Sequence, residues 1–274
     1  MTTNLFQSAR PDEATLTAGF GTRPPTLFTR FLQAIFDHSA GDPKEASDCF
    51  ERLTGLRSSG MNTLYDNTPR ELFAIGNTGG DGEHAGFLVH APERPADDYP
   101  WALFAPPGAE LDLLAPDTAT FLRQAMSYRL PNDPKDSEKI LAIATAVGIQ
   151  LDPDFGRTLA YLGQRQWWKA TPPIKPEVVP SVPEDWLYEP APDGVGVLAP
   201  AKAFSPEGPI DLQARAPSES ILIAQGALDD GFPATALLAA RSLYDDDPDS
   251  RAGQCMKRAY RALGRDLLAA RMDS

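Results

Sequence analysis

The residue types best suited to chemistry lie in one short stretch between two predicted strands. This stretch runs from residue 76 to residue 84 and reads Gly-Asn-Thr-Gly-Gly-Asp-Gly-Glu-His. Asp81 and His84 are of the types that general acid–base catalysis uses, because a carboxylate can orient an imidazole that transfers a proton. His90 follows six residues after His84, and on an extended strand both imidazoles point to one face, where they could bind a metal ion with Asp81. These residue types therefore raise two possibilities for this stretch, acid–base catalysis and metal binding.

The glycines of this stretch favour a turn over either kind of chemistry. A phosphate-binding loop needs glycines that open a helix, usually with a lysine after them, whereas these glycines separate two strands and are accompanied by acids. Gly79, Gly80 and Gly82 are typical of a tight connection between antiparallel strands. The chain has three histidines, and none of them stands near a serine nucleophile motif. We predict a structural turn here, with no catalytic residue, no metal site and no cofactor.

Acidic residues are concentrated in this part of the chain. The 274 residues include 38 acidic and 25 basic side chains, a net charge of −13, which disfavours nucleic acid and anionic membranes as partners. Residues 81–117 contain eight acids and one base, Arg94. Such a segment either maintains solubility or binds a basic protein. For the second case, the predicted partner-binding acids are Asp81, Glu83, Glu93, Asp97, Asp98, Glu110 and Asp112. We expect those from Glu83 onward to gather along one side of the sheet.

The hydrophobic pattern of residues 24–126 predicts an α+β fold. Apolar residues at helical spacing follow Pro25, and Asp42 with Pro43 begins a second helix. The pattern then changes to short apolar runs between turn residues, which predicts strands at 71–75, 85–89, 101–104 and 110–114. Their connections are too short for crossover helices, so the strands form an antiparallel sheet flanked by helices.

The remaining residues predict more helices and a proline-rich connector. Residues 171–217 contain eleven of the 27 prolines, a density that disfavours regular strand pairing, although Trp186 indicates that part of the segment packs against the protein. Three amphipathic helices with tight turns follow, and they predict a small C-terminal antiparallel helical bundle. We therefore predict three parts, which are residues 1–170, the connector 171–217 and the helical region 218–274.

Composition also predicts the cellular compartment. The two cysteines, Cys49 and Cys255, are too few for a disulfide framework, and Cys49 lies on the apolar face of a predicted helix. No apolar run approaches the roughly 18 residues of a membrane-spanning helix. The first residues lack a basic start followed by an apolar stretch, so no secretory signal is expected. These observations predict a reduced, cytoplasmic protein that does not bind a membrane.

Four short motifs carry a family resemblance. They are Pro24-Pro25-Thr26-Leu27-Phe28 with Phe31-Leu32, Leu72-Phe73-Ala74-Ile75-Gly76, Thr78-Gly79-Gly80-Asp81-Gly82 and Thr120-Phe121-Leu122. In this order, residues 24–126 resemble the SUKH superfamily, whose yeast member regulates cell-wall synthesis. The resemblance implies an α+β domain without known catalysis. Many bacterial members resemble immunity proteins that neutralise toxins, often nucleases.

Three functions follow as hypotheses. The first is a non-catalytic protein of the SUKH immunity type that neutralises a basic toxin domain through its acidic surface, because opposite charges speed encounter and fix orientation. The second is a scaffold or regulator whose C-terminal helices, within residues 218–274, bind another protein. The third is a hydrolase that uses Asp81 and His84.

Overall fold

The computed structural model describes residues 5–6, 10–58, 68–80, 82–106, 110–161, 167, 182–208, 216–243 and 250–273. These residues form ten α-helices and seven β-strands. The helices are α1 Glu13–Phe20, α2 Thr26–His38, α3 Pro43–Thr54, α4 Thr118–Asn132, α5 Ser137–Val147, α6 Pro153–Tyr161, α7 Pro217–Asp229, α8 Pro233–Arg241, α9 Arg251–Ala262 and α10 Asp266–Ala270. The strands are β1 Arg57–Ser58, β2 Leu72–Asn77, β3 His84–Leu88, β4 Trp101–Ala105, β5 Glu110–Ala115, β6 Trp186–Glu189 and β7 Val197–Pro200.

Strands β1 to β5 form one antiparallel sheet in chain order. Phe73 on β2 pairs with Phe87 on β3, and Phe87 pairs with Trp101 on β4. The predicted α+β fold with an antiparallel meander is confirmed. The two-residue strand β1 was not predicted, because Arg57–Ser58 is too short to show an alternating pattern.

One face of the sheet packs against helices through aromatic side chains. Phe87 lies at the centre, with ring centroids 5.2 Å from Phe20 on α1 and 5.9 Å from Trp101. Trp101 in turn stacks on Phe121 of α4 at 4.0 Å and meets Phe28 of α2 edge-on at 5.2 Å. Large aromatic rings in such contacts bury much apolar surface. The helical layer therefore holds the central strands from one side.

Aspartate side chains cap the starts of α3 and α4. The Asp42 carboxylate accepts hydrogen bonds from the backbone N–H groups of Lys44 and Glu45 at the start of α3. Asp117 accepts from the N–H of Thr120 in the same way at the start of α4. These bonds satisfy N–H groups that have no partner inside the helix.

The proline-rich connector contains a strand pair that the sequence analysis did not predict. Strands β6 and β7 pair antiparallel, from Trp186 opposite Pro200 to Glu189 opposite Val197. The expectation that proline prevents a regular ladder is wrong here, because Pro190 and Pro192 fall in the connection between the strands and Pro200 at the end of β7. Trp186 is 9% exposed, so the prediction that this part packs down is confirmed.

This β6–β7 hairpin lies beside the second face of the sheet. That face has its own apolar layer, which consists of Leu72, Leu88, Ala102, Phe104 and Leu113. Gly194, in the connection between β6 and β7, lies next to Leu111 on β5. The hairpin therefore lies against the apolar layer on the face of the sheet opposite to the helices α1, α2 and α4.

The last helices form the predicted bundle, since α7, α8 and α9 all contact one another. The residue that follows α10 also bonds to the sheet: Arg271 donates to the carbonyl oxygen of Leu72 at 2.8 Å. The proposed division at residues 170 and 217 stays a prediction, because residues 168–181 and 209–215 lie outside the described part. Among the described helices, none has both the length and the hydropathy that crossing a lipid bilayer requires.

Candidate functional site

The meander separates the predicted partner-binding acids into two groups. Consecutive connections of an antiparallel meander lie at alternate ends of the sheet. The β2–β3 turn and the start of β5 share one end, so this end has Glu83 and Glu110. The β3–β4 connection lies at the other end, and it has Glu93, Asp97 and Asp98. The expectation that these acids gather along one side is wrong, because a five-residue strand separates the groups by about 13 Å.

The glycine-rich turn at the first end is a structural element, as predicted. Gly79 and Gly82 have φ angles of 82° and 74°, which favour glycine. Gly80 has no such angle, and a Cβ on it would meet no atom within 4 Å, so this third glycine is not required by the turn. The Glu83 carboxylate accepts from the Thr78 hydroxyl at 2.9 Å. Asp81 lies outside the described residues.

The other two predicted acids, Glu110 and Asp112, lie on the edge strand β5. Asp112 is exposed and pairs in register with Leu103 of β4. Glu110 pairs with Ala105, and its side chain is outside the described part. An exposed acid on an edge strand discourages pairing with a second chain. Solubility is therefore a sufficient explanation for Asp112.

The second group lies on one connection, residues 89–100, which we term the acidic loop. Asp97 has a side chain that is 86% exposed and forms an ion pair of 3.1 Å with Arg23. Glu93 accepts a hydrogen bond of 3.1 Å from Arg265, whose side chain is 1% exposed. Of the two, Asp97 is the one that presents its charge to solvent.

Asp98 has a different role from its neighbour. Its carboxylate accepts from the backbone N–H of Thr118 at 3.1 Å, from the Thr118 hydroxyl and from the N–H of Tyr99 at 2.8 Å. Burial raises the pKa of Asp98, although these bonds act against the rise. The Thr118 hydroxyl in turn accepts from the indole N–H of Trp101 at 3.0 Å. The hydrogen bonds of Asp98 therefore connect the acidic loop to the start of α4.

The two histidines of the metal hypothesis lie at opposite ends of the same strand, β3. His84 starts β3 and bonds to the Thr68 hydroxyl and the Gly82 carbonyl oxygen, while His90 follows the strand and bonds to the Val195 carbonyl oxygen. The strand between them spans about 13 Å, too far for one metal ion to bind both. Burial lowers the pKa of each histidine. Within the described residues, no three metal-binding side chains form a cluster.

A cleft of about 270 Å³ separates the acidic loop from the β6–β7 hairpin. We term it the loop–hairpin cleft. Its walls are mainly apolar, with prolines from both sides. The side chains with polar groups or aromatic rings in its lining are His90, Arg94, Asp98, Tyr99 and Trp186. A mostly apolar cleft with a few convergent polar groups is the usual form of a binding site.

Both walls of the cleft are bound to one buried side chain. Arg265 donates its Nε–H to Glu93 in the acidic loop and an Nη2–H to the carbonyl oxygen of Leu198 in the hairpin. His90 makes a third link, since its Nε2 lies 2.9 Å from the Val195 oxygen. A site whose walls are already fixed loses little conformational entropy when it binds.

Sequence reasoning identified the acidic loop but not the opposite wall. Trp186 and Leu198 come from the segment that was interpreted as a connector, about a hundred residues after the loop. The one signal that could have indicated them is the run Trp186-Leu187-Tyr188, which is strongly apolar among prolines. No sequence pattern shows that this run meets the acidic loop.

No protein-family model matches the chain, and no curated protein matches it.

Proposed function

We propose that this chain is a non-catalytic binding protein that holds a basic protein partner on the acidic loop, in the manner of a SUKH-type immunity protein that neutralises a toxin. The observation that carries the proposal is Asp97, a highly exposed carboxylate on a loop that is fixed on both sides. Charge that is presented in a fixed geometry speeds association and orients the partner.

The fixed position of Asp97 supports this proposal. The backbone carbonyl oxygen of Asp97 accepts from the N–H of Thr26 at 3.1 Å, and Asp98 is bound to Thr118. The hydroxyl of Tyr99 accepts from the N–H of Ala96 at 3.0 Å. A preorganised loop avoids the cost of ordering when a partner binds.

The surroundings of the titratable residues favour binding over acid–base catalysis. The His84 and His90 rings are buried and hydrogen-bonded to carbonyl oxygens. Glu71 is buried and bound to Arg241 and Tyr260. A general base has to reach a proton of the substrate, and groups held in this way are poorly placed to do so. A hydrolase using His84 would also depend on Asp81, which lies outside the described residues.

Affinity chromatography with matched charge reversals tests the proposal. The wild-type chain, Asp97→Lys and Asp112→Lys are immobilised separately, and a lysate of the source cells is passed over each column at low salt. We expect a defined basic protein to be retained by the wild type and by Asp112→Lys but not by Asp97→Lys. Elution by salt is expected, because the interaction between exposed charges is screened.

The control residue makes this comparison specific. Asp112 has the same charge and is also exposed, but it lies on β5, away from the acidic loop. If the Asp97→Lys and Asp112→Lys columns retain the same basic proteins as the wild type, the acidic loop is not the binding surface and the proposal is wrong.

A further inference from the structure

Arg94 places a cation at the loop–hairpin cleft. Its guanidinium lies over the Trp186 ring, with Cζ 5.5 Å from the ring centroid. Among the described residues it has no carboxylate at ion-pair distance, whereas Glu93 beside it is bound to Arg265. A guanidinium that stacks on an indole keeps its N–H edge available for other bonds. The charge of Arg94 is therefore available to an anion in the cleft.

The carboxylate in the lining does not compete for this cation. Asp98 accepts N–H bonds from Thr118 and Tyr99 and a bond from the Thr118 hydroxyl. Each of these donors lies at the junction of the acidic loop with β4 and α4. The oxygens of Asp98 are thus bound within the chain itself, and Arg94 remains the side chain suited to recognise a negative group.

The size and the walls of the cleft restrict what can bind there. Pockets for drug-sized ligands and cofactors have volumes of about 300–1,000 Å³, and this cleft has about 270 Å³. The cleft is therefore at the small end of this range and suits a small ligand. The rings of Tyr99 and Trp186, with Leu88 and Leu198, provide surfaces for one flat apolar group.

We propose that the loop–hairpin cleft binds a small aromatic carboxylate, with its ring between the acidic loop and the hairpin and its carboxylate bound by Arg94. A planar guanidinium forms two parallel hydrogen bonds with a carboxylate, which gives geometric specificity as well as charge attraction. The cleft shares the acidic loop with the proposed protein partner, but the ligand proposal does not rest on that partner and its test needs none.

Titration of the full-length chain with three matched probes tests the chemistry. Phenylacetate has the ring and the carboxylate, phenylacetamide has the same shape without the charge, and phenethylamine has the opposite charge. We expect saturable binding of phenylacetate by calorimetry. Loss of a charge-assisted pair weakens binding about tenfold or more, so we expect this weakening for the amide and no binding of the amine.

Three arginine variants test the position of the site. We expect Arg94→Gln to weaken phenylacetate binding by about tenfold or more, and Arg94→Lys to retain part of the affinity, because it keeps the charge but not the planar pair. Arg251→Gln is the control, since Arg251 is also exposed but lies at the start of α9 and not in the cleft. Thermal melting of each variant shows that the chain is folded before titration.

Several results would overturn the assignment. They are the absence of saturable phenylacetate binding to the wild type, equal affinities for the acid and the amide, and an unchanged affinity in folded Arg94→Gln. If Arg94→Gln does not fold, the proposal is judged from the affinities of the wild-type chain for phenylacetate and phenylacetamide. A weakening in Arg251→Gln as large as that in Arg94→Gln would also show that binding is not at the cleft.

Discussion

Arg241 and Glu71, which are 170 residues apart in sequence, form a buried ion pair of 2.5 Å between α8 and the residue that precedes β2. Their side chains are 1% and 2% exposed. Arg241 also bonds to Asp193 in the hairpin connection at 2.7 Å, and the Tyr260 hydroxyl donates to Glu71 at 2.8 Å. Burial acts to raise the pKa of Glu71, but the positive charge of Arg241 and the hydrogen bonds from Arg241 and Tyr260 keep it below its ordinary value. This cluster therefore joins the sheet, the hairpin and the C-terminal helices.

Removing one member of the buried pair should destabilise the fold strongly. We expect Arg241→Met to lower the free energy of unfolding by about 3–5 kcal/mol, because it leaves the Glu71 charge buried without its partner. The double variant Glu71→Gln with Arg241→Met should recover part of that loss. Denaturant unfolding measures both values. Arg157→Met is the control, since the pair with Asp154 is exposed and should contribute about 1 kcal/mol or less. Equal effects at Arg241 and Arg157 would contradict this account.

The glycine-rich turn allows a matched comparison within three residues. Gly82 has a positive φ, so Gly82→Ala should cost about 1 kcal/mol in unfolding free energy. Gly80→Ala should change it by less than about 0.5 kcal/mol, because Gly80 has no positive φ and its Cβ would meet no atom. The same denaturant measurement serves for both. A larger cost at Gly80 than at Gly82 would show that the turn is described wrongly.

The buried histidines predict a loss of stability in mild acid. Burial lowers the pKa of His84 and His90 in the folded chain, whereas an unfolded histidine titrates near about 6.5. The unfolded chain then binds more protons, so stability is fully present above about pH 6.5 and falls below it, by at most about 1.4 kcal/mol per pH unit for each histidine.

Variants identify the histidine that is responsible. His90→Gln should flatten the decrease in unfolding free energy between about pH 6.5 and pH 5, because it removes one of the groups that titrate in that range. His38→Gln is the control, since His38 is exposed at the end of α2. An unfolding free energy that is constant over this range in the wild type would contradict the described burial of both rings.

The C-terminal helices should not fold by themselves. In an isolated fragment of residues 216–274, Arg241, Arg265 and Arg271 would lack the partners that the rest of the chain supplies, which include Glu71, Glu93 and the Leu72 carbonyl oxygen. We expect weak, non-cooperative helicity by circular dichroism. A fragment that melts cooperatively would instead support residues 218–274 as a separate domain.

Local patterns predicted most of the elements, and long-range contacts account for what they missed. Asp42 indicated a helix start because a cap depends on residues two or three positions away. The alternation of glycines, prolines and apolar runs predicted the meander for the same reason. The cleft depends on Arg265 joining Glu93 to Leu198, across separations of 172 and 67 residues. No periodicity encodes such a contact.

The acids show a second limit of sequence reasoning. The sequence shows directly that acidic residues are concentrated in residues 81–117. It does not show which of these acids share a surface, because that depends on the end of the sheet at which each connection lies. Asp97 and Asp98 are neighbours with the same charge, yet one is 86% exposed and the other is bound to Thr118. Replacing Asp98 with lysine would remove the hydrogen bonds that its carboxylate accepts from Thr118 at the start of α4. The charge-reversal experiment therefore uses Asp97 only.

The association rate of the captured basic protein with this chain, measured at low and at high ionic strength, tests the binding account most directly. For the wild type and Asp112→Lys we expect fast association that slows steeply with salt, because screening weakens steering between opposite charges. For Asp97→Lys we expect slower association with a weaker dependence on salt, at an unchanged melting temperature. An association rate that is the same for wild type and Asp97→Lys at both ionic strengths would contradict the account.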